Sequence, residues 1–157
     1  MSSVQNLTPQ ESAKLEEFVK LSFDFARSND APSLKIMLEN GLNPNLANHK
    51  GDSLLMLASY HNALECVHLL LDFGANVDTP NDRGHTPLAG VCFKGYAEVA
   101  KLLLESGANP NGFGETLSPI NTAIMFRQKE ILALLLRYNS KKLPLWKRTF
   151  AKLTGLQ

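Results

Sequence analysis

A period of 33 residues constrains this chain more than any other feature. The stretch "NDRGHTPLAGVCFKGYAEVAKLLLESGANPN", slid back by 33 places, falls on "NHKGDSLLMLASYHNALECVHLLLDFGANVD". Gly51 lands on Gly84, Ser53 on Thr86, Leu55 on Leu88, and Gly74-Ala75-Asn76 on Gly107-Ala108-Asn109. A second backward slide catches "ARSNDAPSLKIMLENGLNPN", with Gly41 on Gly74, and a forward slide of 32 catches "LSPINTAIMFRQKEILALLLRYN". Four copies result, the outer two degenerate. Self-similarity at this spacing marks an array of small units rather than one irregular domain.

Each copy reads as a pair of short helices. Thr86 is placed to cap a helix, with Pro87 at its first position, where a missing N–H costs nothing. Ser118-Pro119 repeats the device, and Ser53 keeps the cap without the proline. Gly95, Asn62 and Asn29 stand between the two helices, where a left-handed residue ends the first one. The second helix carries the apolar run (Val67, Leu70, Leu71; Val99, Leu102, Leu103; Ile131, Leu134, Leu135), spaced to face a neighbouring copy. Gly74 and Gly107 end it, and "ANVDTPNDRG" supplies turn residues for a hairpin-like finger. A single helix pair cannot bury both faces, so the copies must stack.

Both ends depart from the period. "LTPQESAKLEEFVKLSFDFA" offers Thr8 as cap, Pro9 at the first helical position and Glu11 to close a capping box. Leu15, Phe18, Val19, Ser22 and Ala26 share one face of this longer helix, and Glu16, Glu17 and Asp24 form an acidic side that caps the stack. At the other end, "SKKLPLWKRTFAKLTGLQ" predicts a basic capping helix over about 143–154, with Trp146, Phe150 and Leu153 aligned to cover the last copy. The alternative is an amphipathic anchor for an anionic surface or an acidic partner.

Composition excludes several classes. With 157 residues, 44% of them hydrophobic, the chain has room for one domain with a substantial core. A net charge of +1 gives no overall field toward nucleic acid. No apolar run is long enough to span a bilayer, and residues 1–20 lack a basic start followed by an apolar stretch, so a cytoplasmic location is expected. Cys66 and Cys92 fall at small core positions of different copies, and a disulfide is not expected.

Catalytic features are missing. Gly112-Phe113-Gly114 is a fragment of a phosphate-binding pattern and reads as the tip of the last finger. His61, Glu65 and His68 have the i, i+4, i+7 spacing of metal ligands. Asn62 breaks the chain between them, however, and His68 points to the outer surface, so these are read as solvated. No Ser or Cys has a trustworthy His partner. No catalytic residue, no metal site and no enzymatic activity are expected.

The T-P-L step, the mid-repeat Gly, the Leu triplet and G-A-x-x-N at this period resemble the ankyrin repeat over roughly residues 20–140. The resemblance implies an all-α ankyrin-repeat solenoid of four helix-turn-helix repeats with finger loops, a longer N-terminal helix and a C-terminal capping helix. Its repeats run over about 8–45, 46–78, 79–111 and 112–140. In that family a protein partner is held by the finger tips and the exposed end of each first helix. Carried over, the tips are His49, Lys50 and Asp52; Asp82, Arg83 and His85; Glu115 and Leu117. The helix ends are Arg27 and Ser28; Tyr60 and His61; Phe93 and Lys94; Met125 and Phe126. The fourth finger is one residue short, and Thr116 stands where Gly is expected.

Two ladders follow, Arg27–Tyr60–Phe93–Met125 and Ser28–His61–Lys94–Phe126, with the aromatic, Met and basic composition of an interface core. The expected partner is a protein, the expected state a monomer, and the expected cofactor none. "MLASYHN", "NDRGHTPLAGVCFKG" and "NTAIMF" are further similar to small four-repeat bacterial ankyrin proteins, some encoded beside catalase genes and linked to haem supply. That similarity implies an alternative, a haem-delivery accessory to an enzyme such as catalase. Tyr60 would be the haem ligand, with Phe93 covering the porphyrin and Arg27, His49, Lys50 or Lys94 meeting the propionates. An inhibitor or immunity-type protein would use the same face.

Overall fold

The computed structural model describes residues 7–112 and 118–139. Over these residues the chain forms eight helices: α1 Pro9–Ser28, α2 Ala31–Glu39, α3 Leu54–Tyr60, α4 Leu64–Asp72, α5 Pro87–Lys94, α6 Ala97–Glu105, α7 Pro119–Met125 and α8 Lys129–Tyr138. Every odd-numbered helix starts as its sequence dictates. Thr8, Ser53, Thr86 and Ser118 each accept a hydrogen bond from the backbone N–H three residues on. At α1 the capping box closes, with Thr8 N–H donating to Glu11 Oε2 at 2.8 Å.

The break between paired helices is also the expected one. Asn29, Asn62 and Gly95 have φ of 61°, 57° and 84°. The fourth copy makes the same turn through Arg127, φ 55°, which no turn-forming residue type had flagged. Asn29 has a second task. The N-cap residue of α4, Ala63, has no side chain to cap with, and Asn29 Oδ1 accepts from Cys66 N–H, in the first turn of that helix, at 3.1 Å. The first helix pair thus caps a helix of the second.

Helix pairs stack in register. The inner row is α1, α3, α5 and α7, each packed on the next, and the outer row α2, α4, α6 and α8 follows the same order. Between the rows runs one continuous core, in which Leu34, Leu55, Val67, Leu70, Leu88, Val99, Leu103, Ile120, Ile131 and Leu135 are buried. Leu71, Leu102 and Leu134 pack against this core at its edge, partly covered. Cys66 and Cys92 are free and buried, and burial pushes their thiols up to about 11 and about 12.

The fingers are tight turns rather than paired strands; the one bridge among the described residues joins Ala47 to Ser53. Asn48 Oδ1 accepts from Lys50 N–H at 2.9 Å and Asp52 N–H at 3.0 Å. Asn81, 33 residues later, does the same for Arg83 N–H at 3.1 Å and His85 N–H at 3.0 Å. The two fingers are tied together by Asp82 N–H donating to the Lys50 carbonyl at 3.1 Å. Gly51 is required there, because its φ is +72° and a Cβ would lie 2.8 Å from the Asp82 backbone nitrogen.

The N-terminal helix corrects one expectation. Ser22 and Ala26 are buried as anticipated, and Phe23 joins them, but Leu15 and Phe18 are exposed. The first half of α1 is exposed through Phe18, apart from half-buried Ser12. The C-terminal helix expected over 143–154 lies outside the described residues.

Candidate functional site

The sequence places an aromatic or large apolar residue at the end of each inner helix after the first, and stacking brings these ends side by side. Tyr60, Phe93, Phe126 and Met125 are 36%, 45%, 44% and 68% exposed. They face solvent instead of filling the groove between repeats. Tyr60 and Phe93 lie in nearly parallel planes, 6° apart, with centroids 6.5 Å apart. Phe126 meets Phe93 edge-on at 4.7 Å and 84°.

Ring contact also crosses between the two ladders. Counting by repeat pairs Met125 with Phe93 and Phe126 with Lys94. In the fold it is Phe126 whose ring reaches Phe93, so the aromatic row is Tyr60–Phe93–Phe126 and crosses from one ladder to the other. Phe126 is the C-cap residue of α7, just past its last turn, which frees the ring to lean toward the neighbouring helix. Met125 remains beside it, lining a cleft of about 290 Å³ with Tyr60, Gly90, Phe93 and the finger residues Arg83 and His85.

Two residues that drew no attention in the sequence shape the row. Gly90 sits inside α5, and a Cβ there would lie 3.3 Å from Tyr60 Cδ2. Its missing side chain lets the tyrosine ring lie against the helix. Asn81, 7% exposed, forms the base of the second finger and holds Asp52, its amide donating to Asp52 Oδ1 at 2.8 Å. The sequence carries a signal for it, since Asn48 and Asn81 are one period apart.

Basic groups surround the row. Lys94 Nζ lies 4.9 Å from the centroid of the Tyr60 ring, a cation–π distance. The His61 ring meets Tyr60 edge-on at 6.0 Å. Its pKa is lowered by burial, and further by the Arg27 and Lys94 charges. Arg27 is partly buried and paired with Asp24 at 2.9 Å. His49, Lys50, Asp82 and Arg83 are exposed and His85 is half-buried. Asp52 departs from the expected role of a free tip, because it is half-buried and held by Asn81. Glu115 and Leu117 lie outside the described residues.

Among the described residues no cluster of His, Cys, Asp or Glu could hold a metal ion. His61 closes α3 at its C-cap and His68 is exposed on α4, so the two belong to different helices. No helix among the described residues is long and apolar enough to cross a membrane.

Comparison with known proteins agrees with this architecture. A family model described as ankyrin repeats (3 copies) matches residues 23–113. An ankyrin repeat protein of Pseudomonas aeruginosa is 51% identical over 61 residues, which are 39% of this chain and 36% of that protein. The match therefore spans about a third of the relative's length. Stacked repeats of this kind generally serve as protein-interaction modules, because they present an extended concave surface. The period, the capped helix pairs, the two stacked rows and the family match have one reading: the chain belongs to the ankyrin-repeat family.

Proposed function

We propose that the inner face is a non-catalytic docking surface for a protein partner, centred on the row Tyr60–Phe93–Phe126. The observation that carries this is the exposure of three aromatic rings and Met125 in one continuous row on stacked helices. Large apolar groups cost free energy when left in water, and a row of them with cations at its edge has the composition of an interface core. Tyr and Phe also lose little conformational freedom on contact, and aromatic anchors dominate many interfaces.

A second reading, haem carriage, is favoured by one observation. The Tyr60 and Phe93 rings lie parallel, 6° apart, beside Arg83, His85 and Lys94. These residues fit the group: Tyr60 has the phenol that would hold the iron, and the cations suit its propionates. Bound haem would supply redox and oxygen chemistry to whichever enzyme received it. This chain's contribution would be to hold, orient and release it.

One panel of variants tests both readings. The wild type, Phe93→Ala with Phe126→Ala, Tyr60→Phe and the outer-face control Glu98→Ala are each used as bait for native-cell lysate and titrated with haemin. Docking through the row predicts partners that bind the wild type, Tyr60→Phe and Glu98→Ala but are lost, by about 2 kcal/mol or more, in the double variant. Capture unchanged in the double variant would sink the docking reading. A saturable Soret band lost in Tyr60→Phe is the expected sign of haem carriage, and a band indifferent to Tyr60 would remove that reading.

A further inference from the structure

The fingers and the inner helices enclose a second concavity, of about 320 Å³, next to the aromatic cleft. Six basic side chains line it: Arg27, His49, Lys50, His61, Arg83 and His85. They come from four places in the fold, the end of α1, the end of α3 and the tips of two successive fingers. The single carboxylate in its lining is Asp52, and that group is occupied by the Asn81 amide at 2.8 Å and, more distantly, the Asn48 amide at 3.5 Å. Among the described residues Lys50 and Arg83 form no salt bridge, whereas Arg27 has Asp24.

Clustered cations repel one another, and half-buried Asp52 is the one carboxylate in the lining to offset them. We propose that this concavity is a carboxylate-binding pocket, which takes an acidic side chain of the protein partner while a neighbouring apolar side chain of the same segment enters the Tyr60–Phe93–Phe126 cleft. The inference rests on the docking function proposed above and specifies the partner as an acidic segment with an adjacent apolar anchor.

Adjacency carries the second half. Tyr60, Arg83, His85 and Gly90 line both the basic pocket and the aromatic cleft, so the two are halves of one groove sharing a wall. A nucleic acid would follow a long basic stripe. Here the basic side chains gather around the groove and the aromatic row, and the outer helices carry mostly acids, Glu39, Glu65, Asp72, Glu98, Glu105 and Glu130 against Lys35, Lys101, Lys129 and Arg137.

The test is fluorescence polarisation with the full chain and two labelled peptides, one of glutamates flanking a single phenylalanine and one with glutamine at each glutamate. The glutamate peptide is expected to bind about tenfold tighter or more, and the difference to shrink on raising salt. Its affinity is expected to fall about tenfold in Arg83→Ala. Equal binding of the two peptides would overturn the carboxylate pocket and leave the aromatic docking surface standing. Failure of the glutamate peptide to bind, or its failure alongside saturable binding of inorganic phosphate or duplex DNA, would overturn it as well. Partner capture by the aromatic row is measured separately, so either proposal can fail alone.

Discussion

Tyr60 owes its position to a residue it does not neighbour in sequence. Gly90 lies inside a helix, where glycine is unfavourable by about 0.5–1 kcal/mol relative to alanine. Its φ is not in the left-handed region, so backbone conformation does not require it; the Tyr60 ring does, at 3.3 Å from a would-be Cβ. Since Tyr60 is partly exposed, the ring has room to swing away. Gly90→Ala is therefore expected to raise the Tm by a few degrees while moving Tyr60 out of its parallel arrangement with Phe93. Thermal melts read the first effect and ring-current shifts of the Tyr60 and Phe93 protons the second. A lowered Tm would show that Tyr60 is pinned in place and that the helical gain is smaller than the clash.

At the scale of the element, the turn between paired helices is a case of one geometry with unequal duties. Asn29 and Asn62 both adopt left-handed φ, yet Asn29 alone of the two caps a helix of the next repeat, accepting from Cys66 N–H. Glycine keeps the turn but removes the side chain. Asn29→Gly is expected to cost about 1 kcal/mol, the usual worth of a helix cap, whereas Asn62→Gly should lie within about 0.5 kcal/mol of wild type because relief in the turn offsets added freedom of the unfolded chain. Chemical denaturation of both variants checks this. Equal losses would mean that the cap contributes nothing beyond the turn.

Across the whole molecule, stability follows the number of neighbours. Helices α3 and α5 are packed on both sides within the inner row, and Leu54 through Ser59 and Pro87 through Cys92 are buried without interruption. The first half of α1 has exposed Leu15 and Phe18. In a stack whose stability is a sum of unit and neighbour terms, the ends open first. Hydrogen exchange is expected to be slowest for the amides of α3 and α5 and fastest, within helices, over residues 10–18. Uniform protection along α1 would contradict this and imply that its apolar face is covered, as by a second copy.

Short-range interactions along the chain define the repeating unit. Thr8, Ser53, Thr86 and Ser118 as caps, Asn29, Asn62 and Gly95 as turns, and the buried outer-helix leucines all follow from interactions within three or four residues, which recur at each period. Tyr60, Phe93, Met125 and Phe126 were likewise legible as exposed, because position within the unit sets which way a side chain faces. Tertiary structure alone decided what these units do to one another. The crossing of Phe126 to Phe93, the space at Gly90 that seats Tyr60, the reach of Asn29 to Cys66, the use of Asp52 as a brace and the exposure of Leu15 and Phe18 each depend on a neighbour 29 or more residues away, or on there being none. Register counts residues along one unit, whereas contact between units depends on the few ångströms of lean and side-chain volume that a period does not encode.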